Sequence, residues 1–189
     1  MYPAPPIQRP AGRAGAASGP PGHDPGGAVG PGIMGSGVTW YDVLGVLPGA
    51  EARKIQREYD AKAALLEPRL ISGAPPNVVT AVMRAQDLLD TARTVLGDPE
   101  SRRRYDQVAG LRRRRDRRAA APDFRGLFYR VCLEVATRHG LHVRIVRLTE
   151  RPMAVDGLVV DQDPQPPTKA RRGDKLTVQV WHPPARSRP

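Results

Sequence analysis

The sequence has only one cysteine and no long run of apolar residues. A single cysteine, Cys132, excludes a disulfide within the chain and fits a reducing compartment. A helix that crosses a membrane needs about 20 consecutive apolar residues, and none of the apolar runs in this sequence approaches that length. The N-terminus also lacks the apolar stretch of a secretory signal. We therefore expect a cytoplasmic protein.

The sequence also has no recognisable catalytic or metal-binding pattern. Its four histidines are scattered, and none stands at metal-ligand spacing from Cys132. A phosphate-binding glycine loop and a nucleophile-elbow motif are both missing. Asp161 and Asp163 lie two residues apart, which favours turn residues at a strand edge over an acid–base pair. We expect no enzyme activity, cofactor or metal, and we expect Cys132, Trp40 and Trp181 to be core residues.

Glycine and proline are abundant, with 19 and 21 in 189 residues, but they are unevenly placed. They crowd residues 1–37, which hold almost no large apolar side chains, so this segment cannot form a core. We predict that residues 1–37 and the tail 184–189 are disordered. Met34 stands just before the first folded motif, and we hypothesise that translation begins there, which N-terminal peptide mass spectrometry would test.

The formal charge is +11, and the positive excess lies late in the chain. Residues 38–110 carry ten charges of each sign, whereas residues 111–121 are strongly basic. We predict a solvated linker there. The alternative is an electrostatic contact with nucleic acid, anionic lipid or an acidic protein, although no aromatic residue is interleaved for stacking on bases. The arginines of this segment are Arg112, Arg113, Arg114, Arg115, Arg117 and Arg118.

Two short helices mark the ends of residues 38–110. Thr39 and Asp42 have the spacing of a capping box, in which each residue satisfies a backbone N–H of the other at the start of a helix. Asp98 followed by Pro99 is typical of a second helix start, because proline lacks an N–H that would be unpaired there anyway. These patterns predict a first helix near residue 40 and a last one from Pro99 to about residue 109.

Two longer helical patterns lie between these ends. They run from about residue 50 to 66 and from about residue 77 to 96, with apolar residues at steps of three and four. Apolar faces of this kind suit antiparallel packing of two neighbouring helices. We expect Leu44 and Val95 to close the base of the resulting four-helix unit.

The two end motifs resemble those of a J domain, the co-chaperone module of Hsp70. The first helix contains YDVLG, and the last begins with DPESRRRYD. The resemblance implies a four-helix fold and a protein partner, either Hsp70 or a client protein. The positions that carry it are Tyr41, Leu44, Asp98, Pro99, Arg102, Tyr105 and Asp106.

The resemblance fails at the tripeptide His-Pro-Asp, which a J domain needs to stimulate ATP hydrolysis by Hsp70. Glu67, Pro68 and Arg69 stand at the equivalent positions. The proline can still end the second helix, but the flanking charges are reversed, which turns an attraction into a repulsion. We predict a J-like fold without ordinary J activity. The alternative is a co-chaperone that contacts Hsp70 in another way.

A different pattern begins near residue 122. One amphipathic helix stops at Gly140, and glycine is the usual residue just after a helix end. Three apolar segments follow, near residues 141–145, 157–160 and 176–181. The first and the last alternate apolar with polar residues, and we predict strands with one buried face. The result is a compact unit of one helix and a three-stranded sheet.

The stretch DGLVVDQDPQPPTKARRGDKLTVQV is similar to a PASTA domain, with Gly157, Val159, Gln162, Pro164 and Gly173 on the family pattern. Tandem PASTA domains on extracellular tails of bacterial kinases and penicillin-binding proteins engage cell-wall fragments. A single copy without an export signal favours docking of a protein partner. The two resemblances together imply a bacterial source.

The predicted fold class is α+β with two small domains, a four-helix J-like domain at residues 38–110 and a PASTA-like domain at residues 122–183. The Ala- and Arg-rich linker at 111–121 indicates that the two domains move independently. The predicted function is a noncatalytic adaptor that binds proteins.

Overall fold

The computed structural model describes residues 37–112, 121–150 and 156–183. The predicted disorder of residues 1–36 and 184–189 and the predicted start at Met34 lie outside the described residues. So does most of the arginine-rich linker, from Arg113 to Ala120.

The helices and strands occur in two groups along the chain. The first group holds α1 (Trp40–Leu44), α2 (Ala52–Ala63), α3 (Pro76–Gly97) and α4 (Pro99–Arg112). Two 3-10 turns, Ala64–Leu66 and Pro68–Leu70, connect α2 to α3. The second group holds α5 (Tyr129–His139), β1 (His142–Arg147), β2 (Leu158–Asp163) and β3 (Lys175–Trp181). The predicted α+β fold class with two domains is confirmed.

The start and the packing of the helical unit follow from its sequence. Thr39 and Asp42 form the predicted capping box, in which the Asp42 carboxylate accepts the Thr39 N–H at 2.8 Å. The apolar stripe of α3 is buried against α1 and α2. Leu44 is fully buried as expected, whereas Val95 is only half-buried and the next residue, Leu96, is buried in the core.

The sheet has the strand order β1-β3-β2. β3 is central, pairing in parallel with β1 and antiparallel with β2. α5 runs into β1 through Gly140, whose φ of 69° is a left-handed conformation that glycine adopts without a Cβ penalty. Cys132 of α5 and Trp181 of β3 are buried in the core, as the sequence predicted.

One strand departs from the prediction of a single buried face. Leu158, Val159 and Val160 are consecutive residues of β2, yet all three are buried, at 1%, 0% and 6% exposure. β2 is covered from more than one side because α3 of the helical unit packs against it. Asp161 and Asp163, expected in a turn, belong to the same strand.

The packing of α3 on β2 joins the two units. Their buried apolar side chains form one continuous cluster, from Val38 and Leu44 in the helical unit to Phe124 and Val180 in the other. The expectation of independent movement is therefore not met. The sequence pattern of a linker shows that it is polar, but it carries no information on whether the surfaces at its two ends fit each other.

Candidate functional site

The J-like signature residues at the two ends of the helical unit meet in a hydrogen-bond network. The Tyr41 hydroxyl donates to Asp106 Oδ1 at 2.8 Å. Arg102 donates from Nε to the Tyr41 hydroxyl at 3.0 Å and from Nη1 to the Ala50 carbonyl at 2.8 Å. These contacts tie α1, the loop before α2 and α4 together across more than 50 residues of sequence.

A second tie joins the same two helices from inside the core. The Tyr105 hydroxyl accepts the Trp40 backbone N–H at 3.0 Å, and its ring is buried. Burial raises the pKa of Tyr105, so this hydroxyl stays neutral. Asp98 opens α4 by accepting the Ser101 N–H at 2.7 Å, with Pro99 in the first turn. In this geometry the signature positions hold helices together.

The loop after α2 carries the three residues at the His-Pro-Asp position. Glu67 ends one 3-10 turn, and Pro68 begins the next. The Arg69 guanidinium forms an ion pair with the Glu67 carboxylate, and the two side chains are 69% and 34% exposed. The reversed charges therefore compensate each other within the loop, on its surface.

The base of this loop is fixed on α3. The Leu66 side chain is buried in the core, and its carbonyl accepts a hydrogen bond from Gln86 Nε2 at 3.0 Å. Earlier in the chain, on α2, the Tyr59 hydroxyl donates to Asp90 Oδ1 at 2.6 Å. The loop is thus presented in a defined position, although its chemistry differs from that of the family.

The four cations of α2 have two different environments. Arg53, Lys54 and Arg57 are exposed along the helix, and Arg57 lies 3.8 Å from Glu58. Lys62, at the end of the helix, instead lies over the Phe128 ring of the C-terminal unit, 5.3 Å from its centroid. A cation over an aromatic face is attracted by the ring quadrupole, so the C-terminal unit covers this end of α2.

Asp123 forms the centre of one polar contact between the two units. Its carboxylate accepts from Arg84 of α3 at 2.8 Å and from Arg125 at 2.8 Å. Burial by itself raises the pKa of Asp123, but hydrogen bonds from Arg125 and the charge of Arg84 outweigh it, so the pKa lies below its usual value. Beside this cluster Gly126 approaches α3 so closely that an added Cβ would lie 2.9 Å from Arg84 Cγ and 3.3 Å from the Ala85 nitrogen.

A second polar contact joins α5 to the start of α1. Arg138 donates from both terminal nitrogens to the two oxygens of Asp42, at 2.8 and 3.0 Å. Burial raises the pKa of Asp42, but the bonds from Arg138 and Thr39 outweigh that effect and leave it below its ordinary value of 3.8. The capping residue of α1 is therefore also an anchor for the C-terminal unit.

Gln162, one of the PASTA-like positions, is a buried structural hub. It is 2% exposed, and its Oε1 accepts the Phe124 N–H at 2.7 Å. Its Nε2 donates to the carbonyls of Pro122 and Pro164, both at 3.2 Å. The side chain thereby satisfies backbone groups of the segment that leads into α5.

Val159 and Gly157, two further PASTA-like positions, are explained by packing, and Gly173 is explained by its backbone conformation. Val159 is fully buried. An added Cβ on Gly157 would lie 2.5 Å from the His182 ring, so only glycine fits there. Gly173, with a φ of 94°, lies in the turn before β3. These residues shape the sheet, and none of them forms a ligand pocket by itself.

Among the described residues, no group of three or more His, Cys, Asp or Glu side chains is placed to hold a metal ion. Burial raises the pKa of Cys132 to about 12, which keeps its thiol neutral and makes it a poor nucleophile. None of the described helices is long and apolar enough to cross a membrane. Arg112 ends α4, and Arg113 to Arg118 lie outside the described residues.

Comparison with known protein families identifies both units. The DnaJ domain model matches residues 39–106, and the PASTA domain model matches residues 120–180. Neither the curated proteins nor the solved structures gave a match. Both domains are noncatalytic binding domains, the first related to Hsp70 co-chaperones. The chain therefore contains a DnaJ domain followed by a PASTA domain.

Proposed function

We propose that this protein is a noncatalytic adaptor whose J domain does not stimulate ATP hydrolysis by Hsp70. The observation that carries the proposal is the ion pair between Glu67 and Arg69 at the position of the His-Pro-Asp tripeptide. In a J domain with ordinary activity this position offers a histidine and an aspartate to Hsp70. Here a partner surface built for those groups would meet charges of the opposite sign.

The contact between the two domains supports an adaptor role. The PASTA domain covers the Lys62 end of α2 and packs on α3, so the two domains form one connected body. A rigid connection fixes the distance between the exposed surface of α2 and the exposed part of the sheet. Such an arrangement suits a protein that holds two partners in a set geometry.

Single-turnover ATP hydrolysis by the Hsp70 of the same organism tests the proposal. We expect the full chain to leave the rate unchanged and the double variant Glu67→His/Arg69→Asp to raise it several-fold. A second double variant, Glu67→Gln/Arg69→Gln, is the matched control. It removes both charges without restoring the tripeptide, and we expect it to leave the rate unchanged.

The other outcomes separate the alternatives. Stimulation by the unaltered chain would contradict the proposal and favour a co-chaperone that contacts Hsp70 in another way. Stimulation by the glutamine variant would show that charge reversal alone, rather than loss of the tripeptide, is what disables the domain. If no variant stimulates, the tripeptide position is not the cause of inactivity, and that part of the proposal is wrong.

A further inference from the structure

β1 is an edge strand with one side open. It pairs with β3 only, since the strand order is β1-β3-β2. At the opposite side of the sheet, β2 is covered, because Gly126 and Leu127 exchange backbone hydrogen bonds with Val159. No described strand or loop covers β1 in the same way. An edge strand offers a row of backbone donors and acceptors to any chain that lies beside it.

The orientation of these open backbone groups follows from the pairing with β3. The His142 N–H donates to the Asp174 carbonyl at 2.9 Å, and the Leu148 N–H donates to the Val180 carbonyl at 2.8 Å. In a parallel pair every second residue bonds to the same neighbour. The even-numbered residues of β1 therefore bond to β3, and Val143, Ile145 and Arg147 direct their N–H and C=O groups to the open side.

The two faces of the sheet differ at this edge. Arg144 and Lys175 are both exposed on one face of the sheet. Lys175 lies on this face because it is paired with His142, whose side chain lies on the same face as that of Arg144. No carboxylate of the described residues lies within ion-pair distance of Arg144 or Lys175. On the other face, Val143 and Ile145 are half-buried against the core. From His142 to Ile145 the edge thus combines positive charge on one face with partly covered apolar side chains on the other, and the exposed Val146 and Arg147 end this pattern.

These features define the chemistry of a partner segment. A strand added beside β1 would place its side chains alternately on the two faces. Carboxylates would meet Arg144 and Lys175 on the first face, and apolar side chains would extend the cover over Val143 and Ile145 on the second. Backbone bonds supply affinity in strand addition, and side chains supply specificity.

A second copy of this chain does not fit the same edge. If β1 paired with β1 of another molecule, the arginines of the two strands would come into proximity, and like charges across strands are destabilising. Cations on an edge strand are also a known means of preventing pairing between copies. The positive charge of this edge therefore disfavours a second copy of the chain and favours an acidic partner segment.

We propose that the open edge of β1 binds an extended acidic peptide segment of a partner protein, with acidic and apolar residues in alternation, by adding it as a fourth strand to the sheet. This inference rests on the proposed adaptor function and names the kind of partner that the PASTA domain takes. It involves residues far from Glu67 and Arg69, so the ATP-hydrolysis test does not depend on it.

Fluorescence anisotropy with the full chain and a labelled, end-capped eight-residue peptide of alternating valine and glutamate tests the proposal. We expect saturable binding, and we expect the same peptide with lysine in place of glutamate not to bind. The double variant Arg144→Glu/Lys175→Glu should weaken binding at least about tenfold, the factor that corresponds to about 1.4 kcal/mol. Arg113→Glu/Arg114→Glu is the matched control with the same change in net charge, and it should bind as the unaltered chain does.

Peptide backbone methylation tests strand addition directly. Only one of the two alternating sets of residues in an added strand directs its N–H groups to β1. N-methylation of that set should abolish binding, whereas N-methylation of the other set should preserve it. Equal tolerance of both sets would show a purely electrostatic contact and overturn the proposal. The proposal would also be overturned if Arg113→Glu/Arg114→Glu weakened binding more than Arg144→Glu/Lys175→Glu does. That result would show that the peptide binds at the linker.

Failure here and failure of the adaptor proposal are distinguishable. If the peptide does not bind but Glu67→His/Arg69→Asp alone stimulates Hsp70, the adaptor proposal stands and only the β1 inference is wrong. If the unaltered chain stimulates Hsp70 and the peptide binds as described, the β1 inference stands and the adaptor proposal is wrong.

Discussion

At the scale of single residues, the family signatures of this chain are mostly structural. Tyr41 and Arg102 tie helices together, and Gln162 satisfies buried backbone groups. Glu67 and Arg69 are different, because they form an ion pair with each other in the loop after α2, where the Arg69 side chain is exposed and that of Glu67 is half-buried. A change at a structural signature should therefore alter stability, whereas a change at the loop should alter only recognition.

Replacement of Gln162 by leucine tests the structural role. The substitution keeps the volume but leaves the Phe124 N–H and the Pro122 carbonyl without their side-chain partner. A buried polar group without a partner costs about 1–3 kcal/mol, and we expect the free energy of unfolding in urea to fall by about that amount. The control Gln179→Leu, on the outer face of β3, should change it by less than about 0.5 kcal/mol. Equal losses in both variants would contradict the assigned role.

The ion pair between Asp42 and Arg138 predicts a pH dependence. Because the folded pKa of Asp42 lies below its ordinary value of 3.8, the ionised carboxylate stabilises the fold above that pH. The stabilisation is lost as the pH falls through the folded pKa. We expect Arg138→Gln to be less stable than the unaltered chain at pH 6, by less than about 1 kcal/mol since Arg138 is half-exposed. Urea midpoints from pH 6 to pH 2.5 should converge at the acidic end, and a constant difference would contradict the linkage.

At the scale of elements, the decisive contact is that of α3 with β2 and the segment before α5. Most strands of an antiparallel pair alternate between a buried and a solvated face. β2 does not, because α3 takes the place of solvent on one side. Gly126 is a point of close approach, with a φ of 79° and no room for a side chain.

Gly126→Ala tests this close approach, and Gly49→Ala is its control. Both glycines have positive φ, but an added Cβ at Gly49 would meet nothing within 4 Å. In Gly49→Ala the free energy of unfolding should fall only by the cost of placing alanine in a left-handed conformation, about 1–2 kcal/mol. Gly126→Ala should lose about 1–3 kcal/mol more, because the methyl group overpacks the contact with Arg84 and Ala85. Denaturant unfolding measures the stability of both variants. An equal loss in the two would contradict the assigned close contact, because it would show that α3 shifts away from the added methyl group without a cost in free energy.

At the scale of the whole molecule, the two domains share one core. Cooperative unfolding is expected where buried apolar surface is continuous between units. Each domain carries one buried tryptophan, Trp40 in the J domain and Trp181 in the PASTA domain. Fluorescence can therefore report on the two domains separately.

Single-tryptophan variants test whether the domains unfold together. In Trp40→Phe the remaining fluorescence reports the PASTA domain, while circular dichroism at 222 nm reports mainly the helices of the J domain. In Trp40→Phe we expect fluorescence and circular dichroism to give the same urea midpoint. We expect the same agreement between the two signals in Trp181→Phe. Two separate midpoints in Trp40→Phe would show that the domains unfold independently, and the continuous core would then contribute little to stability.

The sequence by itself determined the fold class, both families and the local structure at helix ends. It did so because these depend on residues close in the chain: the capping box of Thr39 and Asp42, the proline after Asp98 and the glycine after α5. Periodicity placed the helices and strands to within a few residues, since it reports which side of an element is apolar.

Only the tertiary structure decided which surfaces meet. The docking of Arg138 on Asp42 and the burial of both sides of β2 depend on the directions in which separate elements leave their turns. No periodicity within one element encodes those directions. The same holds for the open edge of β1, because a strand becomes an edge only when the order of the whole sheet is known.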